Sequence, residues 1–169
     1  MISSKIKERT AADVMIKDLE TLSPSAKLSD ALQMMVENHV TGLPIVDRAG
    51  HCVGIISAAD ILAYEQEHAD EAEDVNNDDA RFFDHERGRW ETVRASAFAL
   101  EHFGHVSVRE IMAANVVSVF SDASVSEVAQ RMIEENVHRV MVVDRDQYLL
   151  GSIAAIDIVR LVADDRFGC

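Results

Sequence analysis

The chain contains itself twice. Residues Asp13 to Leu62 lie, without a gap, on Glu110 to Val159, a shift that takes Met15 to Met112. Val46-Asp47-Arg48 falls on Val143-Asp144-Arg145, Gly54 on Gly151, Ile56 on Ile153 and Asp60-Ile61 on Asp157-Ile158. Where identity lapses, apolar character persists, as with Ile45 on Val142 and Val53 on Leu150. A repeat of this length is one small structural unit written twice, and the unit needs a neighbour to cover its apolar face.

Both copies predict the same string of elements. Thr10 to Met15 suggests a short helical turn ending near Lys17, and Glu20 to Ser23 a short strand. Leu28, Ala31, Leu32, Met35 and Val36 recur with the period of one helix face, as do Val125, Val128, Ala129, Met132 and Ile133. Apolar runs at Leu43–Asp47 and Val140–Asp144 lead into the turns Arg48-Ala49-Gly50-His51 and Arg145-Asp146-Gln147-Tyr148. Strands return at Cys52–Ile56 and Leu149–Ile153, and a second helix follows from Ala58 and from Ala155.

The order is β-α-β-β-α per copy. A unit of this size is marginal alone, so the expected fold is α+β: a pseudo-twofold pair of repeats packed through their sheets. The expected boundaries are 10–65 for the first repeat, 66–105 for the segment between, and 106–164 for the second. In the middle segment, Glu65 to Asp79 holds eight acids and no Lys or Arg, which suggests a solvated stretch. Trp90, Val93, Ala97 and Leu100 fit a loose helical stripe with Gly104 as its stop, so a linker helix is expected there.

Charge narrows the partners. A net charge of −14 argues against nucleic-acid polymers, which require clustered Lys and Arg, and against an anionic membrane surface. It leaves room for a small phosphorylated ligand met by a few local donors. No apolar run nears the roughly 20 residues of a bilayer span, and no leader is evident, so a cytoplasmic location is expected. Cys52 and Cys169 lack zinc-site spacing. The acidic run lacks the EF-hand pattern, and His102 and His105 lack a third ligand, so no metal is expected. With no GxSxG, HExxH or phosphate-loop motif, no catalytic residue is assigned and no enzyme is expected.

Two strings can carry ligand chemistry. Gly54-Ile55-Ile56-Ser57-Ala58-Ala59-Asp60 and Gly151-Ser152-Ile153-Ala154-Ala155-Ile156-Asp157 each sit where a strand turns into a helix, whose first N–H groups favour an anion. Asp60 offers a carboxylate able to accept both hydroxyl protons of a ribose diol. Ser57-x-x-Asp60 is equally a capping box, a structural device. Asp157 stands without a hydroxyl at Ala154, which points to a role of its own. In the second string, Asn136-Val137-His138-Arg139-Val140, the Arg139 guanidinium can grip a phosphate with two prongs and His138 can add a donor. A surface arginine paired with one of the many acids is the alternative. The first copy has Thr41-Gly42 at the matching place, with no charge.

The run Val40-Thr41-Gly42-Leu43-Pro44-Ile45-Val46-Asp47, the Gly54-to-Asp60 string and their second-copy counterparts resemble the CBS (cystathionine-β-synthase) domain family over most of the chain. The resemblance implies a module with two clefts between the repeats that hold AMP, ADP or ATP, with S-adenosylmethionine or NADH ranked behind. It implies that the Asp of one repeat holds the ribose and the His-Arg pair of the other reaches the phosphates. Carried over, the primary site is Ser57, Asp60, His138 and Arg139, and a weaker second site is Thr41 and Asp157. The second lacks the hydroxyl at Ala154 and the arginine at Gly42, and Met141 stands where the family often has the proline seen at Pro44. The expectation is a regulatory sensor of an adenosyl nucleotide that forms a homodimer or acts on a protein partner in trans. The alternative is a ligand-free interaction or scaffold module.

Overall fold

The structure is a computed structural model that describes residues 8–68, 79–84, 89–94 and 104–167. Along the chain run α1 (Ala11–Val14), α2 (Leu28–Glu37), β1 (Gly42–Val46), β2 (Cys52–Ser57) and α3 (Ala58–Glu67). Then come β3 (Asp79–Asp84), β4 (Arg89–Arg94), α4 (Val108–Ile111), β5 (Ser118–Phe120), α5 (Val125–Glu134), β6 (Arg139–Val143), β7 (Leu149–Ala154) and α6 (Ala155–Phe167). The class is α+β, as the sequence predicts.

Turn chemistry sets both repeat hairpins. Asp47 Oδ1 accepts the N–H groups of Ala49 (2.8 Å) and His51 (2.9 Å), and Gly50 takes the left-handed conformation the turn demands (φ 92°). In the second copy Asp144 Oδ1 accepts from Asp146 and Tyr148, both at 2.9 Å, and Gln147 adopts φ 68°. β1–β2 and β6–β7 share a register irregularity at the same place, Ile45/Val46 and Val142/Val143.

One proline makes the copies differ. In the second copy the Met141 N–H donates to the Val117 carbonyl at 3.0 Å, and β5 runs parallel to β6. Pro44 stands at the Met141 position and has no N–H to give. The strand predicted over Glu20–Ser23 therefore shrinks to a single bridge, Leu22 to Ile45, held by Leu22 N–H to Pro44 O (3.1 Å) and Val46 N–H to Leu22 O (2.8 Å).

The two compact units do not follow the order of the repeats. One comprises Met1–Leu19 with Val116–Cys169, the other Glu20–Asn115. The leading segment of each copy pairs with the other copy's returning strand. Ile16 exchanges backbone hydrogen bonds with Ser152 (2.9 and 3.0 Å), and Ala113 does so with Ile55 (2.8 and 3.0 Å). Glycine makes room for this. A Cβ on Gly151 would lie 2.5 Å from Ile16 O, and one on Gly54 would lie 2.6 Å from Met112 Sδ and 3.1 Å from Ala113 O.

Each unit has its own core. In the unit of residues 20–115, Leu28, Ala31, Leu32 and Met35 of α2 pack with Leu43, Ile45, Ile56, Ile61, Val106 and Val108. In the other, Ala11 packs with Val128, Met132, Val140, Val142 and Ile153. Val36 and Ile133, predicted on the core face, are instead exposed at 49% and 73%. They stand about 80° round the helix from its first core residue, at the edge of a stripe the other positions already fill.

The linker helix predicted over Trp90–Leu100 is not what Trp90 and Val93 form. Both lie in β4, which pairs antiparallel with β3, Phe83 opposite Trp90 and Ala80 opposite Val93. Aromatic and β-branched residues favour strands, and only four residues, numbers 85–88, join the two. Ala97, Leu100 and residues 69–78 of the acidic run lie outside the described residues.

Candidate functional site

Asp60 is held by the residue that begins its helix. The Ser57 N–H donates to Asp60 Oδ2 at 2.7 Å, and Ser57 Oγ donates to the same oxygen at 2.6 Å. In return the Asp60 N–H donates to Ser57 Oγ at 3.2 Å. The capping box is thus formed, and it fixes the half-buried carboxylate by one oxygen. Among the described residues nothing donates to Asp60 Oδ1. The structural role and a ligand role use different oxygens, so the first does not exclude the second.

Thr41 belongs to the same corner. Its carbonyl accepts the Ala58 N–H at 2.9 Å, and its neighbour Gly42 pairs with Ser57. The matching corner of the other unit gathers His138, Arg139 and Asp157. The His138 carbonyl accepts the Ala155 N–H at 2.8 Å, and Arg139 pairs with Ala154. The pairing read from the sequence therefore draws Ser57 and Asp60 from one unit and His138 and Arg139 from the other.

His138 and Arg139 are exposed at the start of β6. The Arg139 guanidinium donates to Ser152 Oγ at 3.4 Å. Ser152, 1% exposed, is the buried polar residue of the described core, and the sequence reading gave it no part. Its signal was available: a hydroxyl inside an apolar strand where the first copy has Ile55. Asp157 differs from what its missing serine suggested. The Ala154 N–H still donates to Asp157 Oδ2 at 2.9 Å, because a backbone donor is present whatever the side chain. Half of the capping box survives, and Asp157 has a structural reason of its own to persist.

Elsewhere, the Cys52 thiol is half-buried, and burial raises its pKa, so it is a poor nucleophile. Among the described residues no group of three or more His, Cys, Asp or Glu side chains is placed to hold a metal ion, and no helix is long and apolar enough to cross a membrane.

The family model "CBS domain" matches residues 11–67 and 108–164. The chain is 29% identical over 154 residues to the chloroplastic CBS domain-containing protein CBSX2 of Arabidopsis thaliana, across 89% of this chain and 62% of that protein. It is 28% identical to the human 5'-AMP-activated protein kinase subunit gamma-3, across 90% of this chain and 27% of that one. It thus spans less than two thirds of either relative's length. The crystal structure of CBSX2 in complex with AMP superposes with a TM-score of 0.67 at 24% identity, covering 93% of this chain and 98% of that one. The CBS domain pair of protein MJ0100, solved with 5-methylthioadenosine and S-adenosyl-L-methionine, superposes with a TM-score of 0.63 at 23% identity, covering 92% and 96%. At these identities the superpositions establish the fold.

Proposed function

The chain belongs to the CBS-domain family, and from that premise we propose that it is a regulatory module, without catalysis of its own, that senses an adenosyl nucleotide. The carrying observation is Asp60, a carboxylate fixed by one oxygen to its helix cap with no described donor on the other. A ribose diol offers two O–H donors to such an oxygen. Ser57 holds Asp60 in place, and the exposed His138 and Arg139 supply donors suited to phosphate. That chemistry favours AMP, ADP or ATP, with S-adenosylmethionine behind. Thr41 and Asp157 form the weaker set. The ligands named for CBSX2 and MJ0100 support the adenosyl class.

A thermal-melt screen tests this. AMP, ADP, ATP and S-adenosylmethionine are added to the wild-type chain, to Asp60→Ala and to Arg139→Ala. Ligand at a hundredfold excess over Kd adds about 2.7 kcal/mol, which for this length is a rise of roughly 5–10 °C. The expected result is a rise with one phosphorylated nucleotide that both substitutions abolish. A rise that survives Asp60→Ala would remove the ribose assignment.

A second reading has its own observation. Ile133 on α5 and Ile156 and Val159 on α6 are exposed at 73%, 52% and 59%. Apolar side chains on two neighbouring helices suit an interaction surface, and a homodimer or a protein partner in trans is the occupant we propose. A wild-type monomer by light scattering would count against the homodimer, and a wild-type dimer that persists in Ile133→Glu/Val159→Glu would count against this surface as its interface.

A further inference from the structure

The repeat exposes a difference between the two carboxylates that neither copy shows alone. Asp60 has one oxygen committed to its cap and none of the described residues on the other. Asp157 has both oxygens engaged: Oδ2 accepts the Ala154 N–H at 2.9 Å, and Oδ1 lies 3.4 Å from Arg160 Nη1. Arg160 sits three residues on, so the helix sets it on the same face as Asp157. The first copy has Ala63 at the matching position, which can make no such contact. The Asp157 side chain is 12% exposed and that of Arg160 70%. What little of the carboxylate reaches the surface is thus met by an exposed guanidinium.

We propose that Arg160 is the residue that weakens the second copy as a ribose acceptor, by competing for the Asp157 oxygen that a ribose diol would reach. The inference rests on the reading of these carboxylates as ribose acceptors. A guanidinium brings a positive charge of its own to the carboxylate, whereas a diol hydroxyl is helped by the carboxylate charge alone, so a neutral diol has to compete with the ion pair. An exposed pair of this kind is worth up to about fivefold in an equilibrium constant. Asp157 is therefore weakened by its own helix, independently of the missing hydroxyl at Ala154. Asp60, with alanine one turn on, carries no such handicap.

The charge of Arg160 would also attract a phosphate, so the probe is adenosine, which has none. Adenosine affinity is measured by NMR titration in wild type, in Asp60→Ala and in Asp60→Ala/Arg160→Ala, with 2′-deoxyadenosine as the control lacking half of the diol. Asp60→Asn, which keeps a cap acceptor, replaces Asp60→Ala if the alanine variant unfolds. The expected result is that Asp60→Ala weakens adenosine binding and that adding Arg160→Ala restores about fivefold, with no gain for 2′-deoxyadenosine. Equal adenosine affinities with and without Arg160, in a background where Asp60→Ala has weakened binding, overturn the Arg160 inference alone. If wild type does not bind adenosine, or Asp60→Ala leaves binding unchanged, the ribose reading fails and takes this inference with it.

Discussion

A methyl group added at Gly151 would sit 2.5 Å from the Ile16 carbonyl oxygen, a backbone atom that cannot rotate away. At Gly54 the nearest atom is the end of the flexible Met112 side chain, and the backbone stands off at 3.1 Å. Gly151→Ala should therefore destabilise the chain by about 1–3 kcal/mol, the range for overpacking a filled site, and Gly54→Ala by less. Urea denaturation of the two variants checks the order; equal losses would mean that the leading segments shift freely. These glycines show where residue-level reading falls short. They open the strings that point to a ligand, yet their contacts are with the leading segment of the other copy. Nothing local in the string says so, because the partner lies far away in sequence. Asp60 was more legible, since its capping partner is three residues away, and both of its readings survive on different oxygens.

At the scale of elements, caps and turns carry most of what was readable. Glu127 in the first turn of α5 accepts the Ser124 N–H at 2.7 Å and the Ser124 hydroxyl at 2.8 Å, and these bonds hold its pKa below the usual carboxylate value. A lowered folded-state pKa means that the cap's contribution is complete above the unfolded value, roughly 4.3, and is lost as pH falls through the folded one. Glu127→Gln, which keeps an acceptor but cannot titrate, should flatten the loss of stability between about pH 5 and pH 3. An unchanged acid profile by circular dichroism would contradict it. Helix periodicity placed α2 and α5, because each stripe faces the core over most of the helix, with only its last residue, Val36 or Ile133, turned outward. It misled at Trp90 and Val93, where two apolar residues three apart also fit one strand of a hairpin. It could not foresee the missing strand at Glu20–Ser23, which depends on the absent N–H of Pro44 in a different segment.

At the scale of the whole molecule, the repeat predicted one compact module of two like copies; the chain divides into two compact units, each assembled from both copies. Residues 8–19 complete the unit built on the second copy, and residues 104–115 complete the one built on the first. A repeat cut at its sequence boundary would lack its own leading turn's partner strand, so sequence copies and folding units are different objects here. The copies have also diverged in charge: the first has Thr41-Gly42 where the second has His138-Arg139, and Ala63 where the second has Arg160. Two unequal carboxylate corners follow from that divergence, and with them the claim that one adenosyl nucleotide is bound chiefly through Asp60. The direct measurement is a calorimetric titration of AMP into the wild-type chain and into Asp60→Ala. The account predicts saturable binding near one AMP per chain in wild type and its loss in the variant. Binding of equal strength in both, or two equivalent sites per chain, would contradict it.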